Sequence, residues 1–106
     1  MRIELTEMIW FEQHALSRSE LAEISGLSFE LLDELVGCGV IAPLAEISEP
    51  RFGARALHTA RSAQRLRHDF ELDTPALLLA LGLLERVDAL TAQLRELQAK
   101  LPNSQR

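Results

Sequence analysis

Cysteine is all but missing from this chain: Cys38 stands alone, which excludes an internal disulfide and leaves no cysteine-rich cluster to hold a metal. The cytoplasm is therefore the expected compartment. No apolar run is long enough to span a membrane; the longest, 76–84, is broken by Gly82. The first residues, with acids scattered through them, lack a basic leader followed by an unbroken apolar stretch, so no secretory signal is expected there. Also missing are a glycine-rich phosphate loop, a Ser/His/Asp set and a carboxylate pair in a catalytic context, so an enzyme is not expected. No cofactor is expected either. His14, His58 and His68 do not have the spacing of a metal site.

What is present is ordinary globular composition. The chain of 106 residues is 47% hydrophobic and 25% charged, which places it away from disorder and within the size of one domain with one core. Its net charge of −5 is unevenly spread. Residues 1–50 have only Arg2 and Arg18 to set against their acids, whereas residues 51–106 carry an excess of arginine and lysine.

Along the chain, residues 2–6 alternate polar and apolar like a half-buried strand, which the run from Met8 to Phe11 could extend. Trp10 and Phe11 read as core or strand packing, with an exposed interface anchor as the other option. A short helix over 18–25 takes Ser17 or Ser19 as its N-cap, turns Leu21 and Ile24 inward and stops at Gly26. Ser28 caps a second, with Leu31, Leu32, Leu35 and Val36 as one stripe and Glu30, Asp33 and Glu34 opposite, ended by Gly37 and Gly39. Cys38, between those glycines, reads as a small buried hydrophobe. Two helices around Gly26-Leu27-Ser28 form a helix-turn-helix pattern, and the following segment with Pro43, Ile47, Pro50 and Phe52 suits a small β-wing.

Leu57, Ala60, Ala63, Leu66 and Phe70 then mark a third helix from about Ala54 to Phe70, with His58, Arg61, Arg65 and His68 as a solvated stripe opposite. Asp73 caps a last helix that carries Pro75 in its first turn and runs to about Leu101. Within it Ala80, Leu83, Val87, Leu90, Leu94, Leu97 and Leu101 keep an unbroken 3,4 spacing, a heptad seam. The part from Ala80 to Val87 is expected to pack on its own chain, while Leu90, Leu94, Leu97 and Leu101 extend beyond it. Val87 and those four leucines are the expected dimerisation residues of a homodimer. The pattern predicts a mainly α, single-domain winged helix-turn-helix with a long heptad-patterned C-terminal helix. Its parts are an acidic helix-turn-helix and wing over 1–53, a third helix over 54–75 and the last helix over 76–102.

The stretch SELAEISGLSFELLDELVGCGVIAP resembles the helix-turn-helix of MerR-type regulators. Its continuation RLRHDFELDTPALLLALGLLERV is similar to the chaperone modulators of the CbpM family, and the likeness covers about 18–101. GCGVIAP at Gly37 to Pro43, RLRH at Arg65 to His68 and LDTP at Leu72 to Pro75 are its most distinctive pieces. The resemblance implies a non-enzymatic regulator that binds the J-domain of the DnaJ-like co-chaperone CbpA and inhibits both its co-chaperone work and its DNA binding. It assigns no residue a role.

The second helix is where a DNA reader enters the major groove and neutralises phosphates. Here Glu30, Asp33 and Glu34 would face the polyanion, with Glu20 and Glu23 adding to the same field, so direct reading of nucleic acid is not expected. A J-domain presents a basic helical face as a class, and these five carboxylates are the expected partner-binding residues by complementarity of charge. The bland alternative is a solvated acidic face. The competing function is a MerR-type DNA-binding transcription regulator in which Arg51, Arg55, Arg61 and Arg65 on the wing and third helix compensate the acids.

Overall fold

The computed structural model describes residues 14–44 and 49–101. Four helices account for most of them: α1 (Arg18–Ser25), α2 (Phe29–Gly37), α3 (Ala54–Phe70) and α4 (Thr74–Lys100).

Each of the short helices starts where a side chain satisfies an orphan amide. Ser17 accepts from the Glu20 amide of α1 while the Glu20 carboxylate accepts from the Ser17 amide at 2.8 Å, a reciprocal capping box. Ser28 caps α2 through the Leu31 amide, and Asp73 caps α4 through the Ala76 amide. Caps of this kind contribute about 1 kcal/mol each. The turn between α1 and α2 needs Gly26, whose φ of 82° lies in the left-handed region and whose amide donates to the Ala22 carbonyl. Buried Ser25 tightens the same turn: its hydroxyl donates to the Leu21 carbonyl at 2.7 Å and accepts from the Leu27 amide.

The helices share one apolar cluster. Leu21, Leu32, Leu35, Ile41, Phe52 and Leu77 are its largest fully buried side chains, one or more from α1, α2, α4 and the intervening loop. Ala60 and Ala63 of α3, both without exposed surface, let α1 and α4 approach that helix closely. α3 is thus the central post.

The wing is not seen among the described residues. Where it was expected, the Leu44 amide donates to the Arg51 carbonyl, and residues 45–48 between them, Ile47 included, lie outside the described residues. Pro43 and Pro50 have no amide to give to a ladder there. One antiparallel bridge remains, between Leu16 and Phe52, with both of its N–H···O bonds at 2.8 Å. Gly53 follows it because a Cβ there would come within 3.0 Å of the Leu44 side chain. The strand expected over 2–6, with Met8 to Phe11 and Trp10, also lies outside the described residues.

Three single-residue expectations are corrected. Ile24 is 47% exposed, because Leu21, Ala22 and Ser25 supply the inner face of α1. Phe70, at the last position of α3, overshoots the core and is exposed. Cys38 is exposed at the C-cap of α2, where the chain turns outward before Gly39 at φ 82°.

Candidate functional site

The outer surface of α1 and α2 carries the five carboxylates singled out by sequence, and all five are exposed. They are not equivalent. Glu20 is held in the capping box, and its bond from the Ser17 amide lowers its pKa. Asp33 is held by Arg18, which donates Nε to Oδ1 at 2.8 Å and Nη2 to Oδ2 at 2.7 Å. That two-pronged bond lowers the Asp33 pKa and raises that of Arg18. Glu23, Glu30 and Glu34 are exposed, with no such clamp among the described residues.

The same guanidinium lies 4.5 Å from the centroid of the Phe29 ring. Phe29 opens α2 and is 47% exposed, as is Ile24 on α1. The surface therefore combines three exposed carboxylates with two apolar side chains and one fixed cation. Sequence reasoning missed the Arg18–Asp33–Phe29 group. Arg18 was legible only as the one base near the acidic helices, since nothing in a 15-residue separation announces contact.

On α4 the inward residues are Leu77 and Leu81, both buried. Leu83 and Val87, expected to pack on their own chain, are each 55% exposed. The expectation fails because α4 turns a different face to α3. Every remaining seam leucine, Leu90, Leu94, Leu97 and Leu101, is more than half exposed. Full burial of such a side chain is worth roughly 1.5–3 kcal/mol, so about half of that is forgone at each position.

Between α3, α4 and the 39–42 loop runs an open groove of about 200 Å³, with Val40, Ile41, Leu81 and Leu84 among its lining. Arg55 and His58 border it from α3, and Glu85 and Asp88 from α4. His58 leaves the solvated stripe expected for it: its Nε2 is shielded from water and burial lowers its pKa. Arg61, Arg65 and His68 remain exposed. Among the described residues no cluster of metal-ligating side chains occurs, and no helix is long and apolar enough to cross a membrane.

The profile of the MerR helix-turn-helix family of regulatory proteins matches residues 16–99, from the Leu16 bridge into the last turn of α4. Two curated relatives are the chaperone modulatory proteins CbpM of Escherichia coli O1:K1 and of Escherichia coli O139:H28 (strain E24377A). Each is 38% identical over 79 residues, covering 73% of this chain and 77% of the relative.

The chain belongs to the MerR-type CbpM family.

Within that family the α1–Gly26–α2 unit is the helix-turn-helix, and α2 stands at the position of a groove-reading helix. The chaperone-modulatory name belongs to those relatives, and the surface chemistry of this chain is read from its own residues. On α2 that chemistry is acidic.

Proposed function

We propose that this protein is a non-enzymatic cytoplasmic modulator that binds the J-domain of a DnaJ-like co-chaperone, CbpA in the resemblance, and inhibits its co-chaperone and DNA-binding activities. The observation that carries the reading is the exposure of Glu23, Glu30 and Glu34 on the two helices that a DNA reader would lay on phosphates. A surface of that sign repels a polyanion and attracts a basic helical face. Glu20, Glu23, Glu30, Asp33 and Glu34 are its partner-binding residues, with Glu20 and Asp33 contributing charge while Ser17 and Arg18 hold them in place. The working unit is a homodimer through Val87, Leu90, Leu94, Leu97 and Leu101.

Calorimetric titration of the full chain with an isolated J-domain of a DnaJ-like protein tests the reading. Binding is expected, weakening as salt rises and weakening severalfold more in the Glu30→Lys, Glu34→Lys double variant. Unchanged affinity in that variant moves the contact off α2. Absence of any heat or complex refutes the function.

The second reading, a DNA-binding transcription regulator, draws on the exposure of Arg51, Arg55, Arg61 and Arg65. These lie outside the helix-turn-helix and leave the acidic α2 uncompensated on its own helix.

A further inference from the structure

Phe29 and Asp33 stand one turn apart on α2, an i,i+4 pair whose side chains share a face. A carboxylate beside an aromatic ring is what a guanidinium or ammonium group binds, through charge and hydrogen bonds to the one and the quadrupole of the other. A guanidinium is already there. Arg18 reaches across from α1, donates to both Asp33 oxygens at 2.8 and 2.7 Å and lies 4.5 Å from the Phe29 centroid. The receptor belongs to α2, and its occupant comes from a different helix.

The fold does not depend on that occupant. The Ser17–Glu20 capping box starts α1 by itself, and the buried side chains of Leu21, Leu32 and Leu35 join α1 and α2 in the common core. Arg18 is the first residue of α1, where a cation opposes the helix dipole. Its side chain is 43% exposed and that of Asp33 57%, and an ion pair so open to water adds little net stability. Arg18 is also the one base of α1 and α2, on a surface whose other charges include exposed Glu23, Glu30 and Glu34.

We propose that Phe29 and Asp33 form a cation site, that Arg18 fills it in the free chain, and that a lysine or arginine of a basic partner helix takes the place of Arg18 on binding. The proposal rests on the J-domain reading and deepens it, making Phe29 and Asp33 direct contacts and Arg18 an internal competitor that sets the affinity. Glu23, Glu30 and Glu34 draw a basic face toward the site. Within the interface the incoming cation is shielded from water, so the same two contacts are stronger for it than for the exposed Arg18. Left in place, Arg18 would meet that cation with like charge.

Calorimetric titration of the full chain with the isolated J-domain of a DnaJ-like protein reads the exchange. Arg18→Gln is expected to tighten binding severalfold, because the competitor is gone. Asp33→Asn and Phe29→Leu are each expected to weaken it severalfold, and Arg18→Gln is expected to change nothing further once Asp33→Asn is present. Circular dichroism checks the fold of each variant. If Arg18→Gln loses helix, Arg18→Lys, which keeps the charge but not the two-pronged grip, is expected to tighten binding in its place. Weaker binding by Arg18→Gln would mean that Arg18 itself touches the partner, and unchanged binding that the partner lies elsewhere. Either result overturns the exchange and leaves the J-domain reading standing. A gain that persists in the Asp33→Asn background is a long-range effect of charge and overturns it as well. A wild type that binds no J-domain removes both.

Discussion

His58 is the residue whose environment departs furthest from its place in the sequence. Burial lowers its pKa, Arg65 and Arg55 lower it further, and Asp88 opposes them. In the unfolded chain the same imidazole titrates near 6.5, so as pH falls the unfolded state takes up the proton first. The stability that follows from a neutral His58 is present above that value and drains away as pH drops through it toward the folded pKa. Urea unfolding at about pH 7.5 and about pH 5.5 is expected to show a smaller difference in stability for His58→Leu than for the wild type. Equal differences would mean that other groups carry the pH dependence. In sequence, His58 belongs to a basic stripe with Arg61, Arg65 and His68, and periodicity has no means of telling that its first member lies beside a groove. Arg18 and Asp33 teach the same lesson, because their contact depends on how α1 packs against α2. The carboxylates at Glu23, Glu30 and Glu34 were legible because solvent exposure follows directly from their position opposite an apolar stripe.

At the scale of elements, the helices were the most legible part. Ser17, Ser28 and Asp73 start them, Gly26 ends α1, and the spacing of Leu57, Ala60, Ala63 and Leu66, one every three residues, fixes the inner face of α3. The wing was not, since its expectation rested on Pro43 and Pro50 with Ile47 and Phe52 rather than on a paired pattern. Nor was the choice between the two faces of α4, because Leu77, Leu81 and Leu84 obey a 3,4 spacing as faithfully as the heptad seam does. Burial decides between them and makes a prediction. Leu81→Ala is expected to cost about 2–5 kcal/mol of stability in urea unfolding, as deletion of a fully buried leucine does. Leu83→Ala, two residues on and on the outer face, is expected to cost less than about 1 kcal/mol when the protein is dilute enough to be monomeric. A reversal of that order would place the outer face in the core.

For the whole molecule, the distribution of charge separates the two proposed readings. A chain whose helix-turn-helix is acidic while its third helix bears Arg61 and Arg65 has a field that changes sign across its width. In a mobility-shift assay at about 50 mM salt, where phosphate contacts are strongest, no retardation of duplex DNA is expected at micromolar protein. Retardation there would favour the arginines of the loop and α3 over the acids of α2, and with them the regulator of transcription.

The Leu16–Phe52 bridge reaches beyond the sheet pairing it replaces. It clasps the two ends of the helix-turn-helix at one point, so α1, α2 and the loop after them form a lasso whose entry and exit are a single rung apart. A lasso closed at its neck can be lengthened at little entropic cost, because closure depends only on the logarithm of loop length. Its surface can also be recharged without disturbing α3 and α4, which begin on the far side of the clasp. The lasso is thus a part of the frame whose surface charge can change while α3 and α4 keep their places, and in this chain that surface is acidic.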